Sequence, residues 1–359
     1  MSAKLKSKPI DVKGKVIHVG VDIHQKSWRL TGLVEGSIVL AVTIAKPNYH
    51  SFKKVISRFA GNQIRVAYEA GFSGFDLFDR LSADGIECIV TPPSLIPTES
   101  GSRVKTDKKD SLKLAKLLES GMLKKVYVLS PEQRGHRQLV RTRRQIVRHR
   151  CDVMRQIKSF LMFHSIDIPF PSNRQWTGPF LKWLKGLQFK EPCLTVSLQP
   201  LVQLYCYLDE VQKKMTSEVR ELAKNEIYAQ NIKLLKSIPG VGDISAMEFM
   251  VEIQNVERFS TSDELAGYLG LTPSQYSSGE KIRMGRITHE GNSRVRSALV
   301  ECSWILISKD PVMRQKYERI KIRRGAKRAI VAVARNLSAR IRRVLLDQVP
   351  YQLAFRKAA

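Results

Sequence analysis

Between Val16 and Leu118 the apolar positions switch repeatedly between short runs and helical spacing. Val16 to Val21 is a compact run with β-branched residues, the mark of a buried strand. Trp28 to Val34 and Ser37 to Ile44 flank Glu35-Gly36, which suits a hairpin turn, so three strands come in succession. The pattern then predicts a helix over about Tyr49 to Phe59 and a fourth strand over Ile64 to Ala67. A helix over Phe72 to Leu81 follows, then a fifth strand over Cys88 to Val90 stopped by Pro92-Pro93. Another helix covers about Lys108 to Leu118. Three strands followed by alternating helix and strand predict a mixed sheet carrying helices, an α/β domain over residues 16–130. Residues 1–15, with Lys4, Lys6, Lys8 and Lys13, read as a solvated basic arm.

The pattern changes after Pro131. From Glu132 to about Met162 the run holds one glycine, Gly135, and no proline. Leu139, Ile146, Val147, Val153, Ile157, Phe160 and Leu161 recur at helical spacing, while the other faces carry nine Arg and Lys residues between Arg134 and Lys158. This predicts one long basic helix. A stretch with Pro and Trp, about Ile168 to Pro192, interrupts it, and a second long helix is predicted over Leu198 to Lys236. Two long helices around a break suggest an antiparallel coiled-coil hairpin over 131–236. Residues 237–359 read as a mainly α domain ending in a basic helix from about Ala326 to Asp347. No repeat with a period of 20–50 residues is visible.

Composition adds a partner. The chain carries 61 Lys and Arg against 33 Asp and Glu, a formal charge of +28, which a polyanion would neutralise. A hydrophobic content of 43% excludes a mostly disordered basic tail. No apolar run approaches the roughly 18–20 residues of a membrane span, and the Lys-rich start has no secretory core. Cys88, Cys151, Cys193, Cys206 and Cys302 are widely spaced, which reads as free thiols in a reducing cytoplasm rather than a disulfide framework or zinc site.

Candidate chemistry lies in four acids. Asp22 follows the first strand, Glu69 follows the fourth, and Asp107 and Asp110 stand three apart at the start of a helix, on one face. Two hard divalent cations need several carboxylate oxygens converging at the edge of a rigid sheet, with open positions for water and phosphate. Taken singly, Asp after a strand is common turn chemistry, and Asp107 serves equally as a first-turn acid of its helix. Taken together, the four form a rarer arrangement. The set Val-Gly-Val-Asp22, Tyr-Glu69-Ala-Gly and Thr-Asp107-Lys-Lys-Asp110 resembles the DEDD-type insertion-sequence transposases related to the Piv and MooV DNA invertases. That resemblance implies a ribonuclease-H-like, RuvC-like fold for the N-terminal domain. It also implies that Asp22, Glu69, Asp107 and Asp110 bind Mg²⁺, two ions in all. Ser111 stands where relatives often have Ala, a change expected to leave the metals untouched.

In the third region Ser237-Ile-Pro-Gly240-Val-Gly242 joins two predicted helices. Glycines there suit either a helix-hairpin-helix, which offers Gly240 and Gly242 to a phosphate, or an ordinary Gly-terminated helix and turn. Downstream, Pro273 leads through Gln275-Tyr276 to Ser277-Ser278-Gly279, which by itself reads as a turn. The run from Gly270-Leu-Thr-Pro to Ile287-Thr-His-Glu-Gly-Asn-Ser-Arg-Val-Arg is similar to the C-terminal domain of the same transposases. There the serine before this glycine becomes joined to DNA, which implies Ser278 as nucleophile. Relatives commonly have an acid where this chain has Ser277, so both hydroxyls stand as candidates. The resemblance further implies a homo-oligomer, dimer or tetramer, whose composite site is built from both end domains. A non-coding bridge RNA would pair with donor and target DNA.

Arg141, Arg144, Arg148, Lys281, Arg283, Arg286 and Arg294 are the candidate nucleic-acid contacts. Between Arg134 and Lys158 the only acid is Asp152, too few for an ordinary i,i+4-paired helix. These readings describe an Mg²⁺-dependent transposase acting in a prokaryotic cytoplasm at the nucleoid. Its rivals are a RuvC-like endonuclease or junction resolvase, and a non-catalytic nucleic-acid-binding regulator.

Overall fold

A computed structural model describes residues 11–97, 107–278, 281–288 and 290–353, with the side chains of 276–278 and 281–284 also outside the description. Its contacts divide the chain between Leu129 and Ser130 into two compact units.

The N-terminal unit is built on a five-stranded sheet. Strands β1 (Ile17–Ile23), β2 (Ser27–Val34) and β3 (Ser37–Ala45) form an antiparallel meander. After α1 (Tyr49–Ile56), β4 (Ile64–Glu69) pairs parallel to β1. After α2 (Asp76–Ala83), β5 (Glu87–Thr91) pairs parallel to β4, giving the order β3-β2-β1-β4-β5. One face packs Val19, Val21, Val66 and Tyr68 with Phe52 of α1 and Leu77 and Leu81 of α2. The other face receives α3 (Asp107–Glu119) through Ala67, Leu114 and Leu118. The expected arm is partly docked: residues 1–10 lie outside the described residues, but Val12 packs against the core and Asn62 Nδ2 donates to Lys15 O at 3.1 Å.

Gly20 explains how α3 comes so close. A Cβ there would stand 2.1 Å from Ser111 O and 2.5 Å from Ala115 N, so only glycine lets the helix backbone rest on β1.

The second unit begins with α4 (Pro131–Phe163), started by a capping box between Ser130 and Gln133. It continues with α5 (Gly178–Gly186), α6 (Pro192–Leu222) and α7 (Glu226–Lys236). The predicted second long helix is therefore two: Asn225 caps α7 by accepting from Ile227 N, which ends the continuity. Helices α4 and α6 run antiparallel, with Arg143 beside Thr216 and Arg150 beside Asp209. Val153, Ile157 and Leu161 pack there against Leu198, Val202 and Tyr205. The larger core gathers α8 (Asp243–Ile253), α9 (Ser262–Tyr268), α10 (Ser293–Lys309), α11 (Pro311–Arg324) and α12 (Ala326–Asp347), and reaches back to Val140 of α4. This region is not wholly helical. Strands β6 (Pro273–Ser278) and β7 (Lys281–Ile287) form an antiparallel hairpin where the sequence suggested a bare turn. Among the described residues, no helix is long and apolar enough to cross a membrane.

Candidate metal centre and basic groove

Asp22 lies inside β1, not after it, one residue before the strand's last. Its strand position shares the face of Gly20, the face on which α3 packs. Helix α3 therefore delivers its first residue, Asp107, to the same end of the sheet. His24 joins them. Its Nε2 lies 3.3 Å from Asp22 Oδ2 and 3.5 Å from Asp107 Oδ1, and ligand atoms of all three residues fall within 4.8 Å of one another.

The electrostatics are those of an under-neutralised acid. Burial pushes the Asp22 carboxyl up; His24 opposes this, and Asp107 and Asp110 add to it. Asp22 Oδ2 is buried yet makes no hydrogen bond within normal geometry. Two carboxylates and an imidazole, one carboxylate oxygen of them buried, together fit a divalent cation. Glu69 is the last residue of β4 and stands beside Asp22 by strand register, since Val21 pairs with Tyr68. It is exposed, and its carboxylate is not part of the three-residue cluster.

His24 was not among the residues singled out from sequence. Its signal was the alternation of β1, which puts positions 22 and 24 on one face if the strand is extended past Val21. Ser111 proves fully buried, with its Oγ 2.8 Å from Thr31 Oγ1, so its hydroxyl has a partner across the sheet.

In the second unit Ser277 pairs with Ile282, and Ser278 with Lys281, at the end of the β6–β7 hairpin. The side chains of Ser277, Ser278, Lys281 and Arg283 lie outside the described residues, as do Gly279 and His289. Arg286 is exposed on β7.

The other candidate contacts converge. Arg141, Arg144, Arg148, Gly240, Gly242 and Arg294 all line one cavity of about 1130 Å³ between α4, α8 and α10. They are not equivalent. Arg141 donates through Nε and Nη2 to the two oxygens of Glu252, at 2.6 and 2.8 Å. Arg144 donates to Glu248 at 3.0 Å and to Arg294 O at 3.1 Å. The acids absent from α4 are thus supplied by α8, more than a hundred residues away. Arg150 is likewise paired with Asp209 of α6. The basic tail follows suit, with Arg335 on Asp263, Arg340 on Asp310 and Arg342 on the carbonyls of Phe259 and Ser260. Gly240 also has a packing reason: its φ is +90°, and a Cβ would meet Cys302 O at 2.5 Å.

A DEDD-type IS110 transposase model matches residues 19–166, and a model described as transposase IS116/IS110/IS902 family matches residues 232–318. The chain is 34% identical to the putative transposase y4qE of Sinorhizobium fredii over 71% of its own length and 61% of that relative's. It is 28% identical to the transposase for insertion sequence element IS1533 of Leptospira borgpetersenii, over 67% and 70% of the two chains. Over 93% of its length it is 24% identical to the transposase for IS1111A of Coxiella burnetii, covering 91% of that protein. The DEDD match carries with it a ribonuclease-H-like fold and a divalent metal, typically Mg²⁺, and the mixed sheet and the Asp22–His24–Asp107 cluster agree with both. Over residues 19–166 and again over 232–318 the chain is thus similar to the IS110-family DEDD transposases.

Proposed function

We propose that this protein excises and inserts a mobile element by cutting and rejoining DNA. Asp22, Glu69, Asp107 and Asp110 would hold two Mg²⁺ ions, and Ser278 would be the nucleophile. The observation that carries this reading is the buried Asp22 oxygen, matched among the described residues by no Lys or Arg and gathered with His24 and Asp107 at the end of a rigid strand. Bound there, divalent ions would polarise a phosphodiester and stabilise the leaving oxygen. Asp22 supplies a position fixed by the sheet, and Asp107 and Asp110 one fixed by α3. In the serine step, Ser278 Oγ loses its proton and attacks phosphorus. The bond to the 3′ oxygen breaks, and a phosphoserine keeps the bond energy for rejoining to a new 3′ hydroxyl. Strand exchange then needs no nucleotide cofactor. Family likeness further supports a homo-oligomer, dimer or tetramer, and recognition of donor and target DNA through a bridge RNA.

Trapping after denaturation tests the nucleophile. Wild type should leave a protein–DNA adduct and Ser278→Ala none; adduct or recombination surviving in Ser278→Ala moves the nucleophile elsewhere. DNA cutting without any adduct would make the protein a resolvase-like endonuclease. Sequencing the RNA that co-purifies should yield a discrete element-derived species; a random RNA profile removes the guide.

A further inference from the structure

The cavity in the C-terminal unit separates its charges into two kinds. Arg141 and Arg144 are neutralised by Glu252 and Glu248 and form a wall. Arg148, Arg220 and Arg294 are exposed, and among the described residues none has a carboxylate within ion-pair distance. A fourth, Arg143, donates Nε to Thr216 Oγ1 at 2.9 Å. Burial lowers the pKa of the Arg143 guanidinium; Glu248 opposes this, and the nearby charge of Arg220 adds to it. The cluster therefore keeps like charges together, a cost that phosphate groups would relieve.

Helix α10, which carries Arg294, also brings aromatic and apolar surface to the cavity, with Glu301 and, from α8, Asp243 as further lining. Trp304 of α10 lines the cavity with 44% of its surface exposed, held edge-on by Tyr317 at 5.8 Å between ring centroids, and Ile305 beside it is 51% exposed. An open space of about 1130 Å³ exceeds the roughly 300–1,000 Å³ of small-molecule sites, so it suits a stretch of polymer. Free guanidiniums and an exposed indole in one groove are the two components of single-strand recognition, tracking phosphates and stacking an unpaired base. A duplex presents its bases already stacked and leaves an indole in a recess without a partner.

We infer that this groove, bounded by Arg148, Arg220, Arg294 and Trp304, binds single-stranded nucleic acid. The inference deepens the transposase reading by giving the C-terminal unit its own strand path, and it is tested without strand cutting. Fluorescence anisotropy of the full chain with labelled ten-nucleotide DNA, ten-nucleotide RNA and a ten-base-pair duplex reads affinity across a salt series. Each phosphate contact contributes about 0.7 to the log–log salt slope for single strands. Reversing Arg148, Arg220 and Arg294 to Glu should reduce that slope by about 2. A matched control reverses Lys182, Lys185 and Lys190, exposed residues in and just after α5, and should leave the slope unchanged. Trp304→Ala should weaken single strands about tenfold and the duplex little. Because Trp304→Ala also removes a contact with Tyr317, wild-type protein is in addition photo-crosslinked to 5-iodouridine oligonucleotides, and the adduct should fall on α10. Stronger binding of RNA than DNA identifies a guide strand, and the reverse identifies a separated DNA strand. Equal losses in both charge-reversal triples, or a preference for duplex, overturn the inference. Neither result touches strand cutting, so failure here and failure of the transposase reading are told apart.

Discussion

In the C-terminal unit Glu252 is buried among Arg141, Arg137 and Asn292, whereas in the N-terminal unit Asp22 is half-buried beside His24, Asp107 and Asp110. Burial pushes the Glu252 carboxyl up, but the hydrogen bonds and charge of Arg141 hold it below the usual carboxylate range. Burial pushes Asp22 up as well, and there two further acids reinforce the shift. A chain with 61 Lys and Arg has cations to spare, and α8 shows that it uses them to settle buried acids. Asp22, with no guanidinium beside it among the described residues, is the position the proposed divalent cation would neutralise. The same comparison divides the arginines: those matched by α8 hold the fold together, and those left exposed are free for phosphate.

The largest test of this contrast is Asp22→Asn. Strand cutting should fall by roughly 10²–10³-fold or more, while the thermal midpoint stays level or rises because a poorly compensated charge is gone. A variant that unfolds would make Asp22 a structural acid like Glu252. Glu252→Gln should behave oppositely, losing about 3 kcal/mol in urea unfolding by leaving Arg141 inadequately paired, with Mn²⁺ binding at the N-terminal site unchanged. Its pH dependence has a fixed sign. The lowered folded pKa of Glu252 means its stabilisation is present above the usual glutamate range and lost as pH falls through the folded value. The gap between wild type and Glu252→Gln should therefore narrow below about pH 4.5 in acid unfolding curves.

Gly20→Ala sits between the two classes. Its added methyl would strike the backbone of α3, costing about 1–3 kcal/mol, and would displace Asp107 and Asp110 from Asp22. Mn²⁺ affinity measured by electron paramagnetic resonance should drop along with stability; an unchanged affinity would detach the α3 acids from the metal. The smallest expected effect is at the buried hydroxyl pair. Ser111→Ala should cost about 1–2 kcal/mol by leaving Thr31 Oγ1 without a partner, and adding Thr31→Val should recover most of it in a double-mutant cycle.

Much of the N-terminal unit was legible because its strands alternate or run apolar, and turn residues separate them. The acids on β1 and α3 were legible for the same reason: an element boundary fixes where a side chain points. Gly20 was not, because its requirement comes from a helix about ninety residues later. The long-range pairs of Arg141 and Arg144 were hidden likewise, since local spacing detects i,i+4 partners and Glu248 and Glu252 lie on another helix. The β6–β7 hairpin did leave a signal. Ile282 and Met284 alternate with Lys281 and Arg283 after Ser278-Gly279, a pattern that reads as a strand once a turn is placed before it. For Ser278 itself, the nucleophile assignment rests on resemblance alone.

The contact between Thr31 and Ser111 also bears on how this sequence can drift. Two hydroxyls bonded to each other across a strand and a helix are inherited as a pair, because losing Ser111 leaves Thr31 without that partner in an apolar wall, while Ser111 also reaches Lys108 O. Descendants or relatives with alanine at position 111 should carry an apolar residue at position 31. Those that keep a hydroxyl at both should be the lineages in which the seam between β1, β2 and α3 has stayed as it is here.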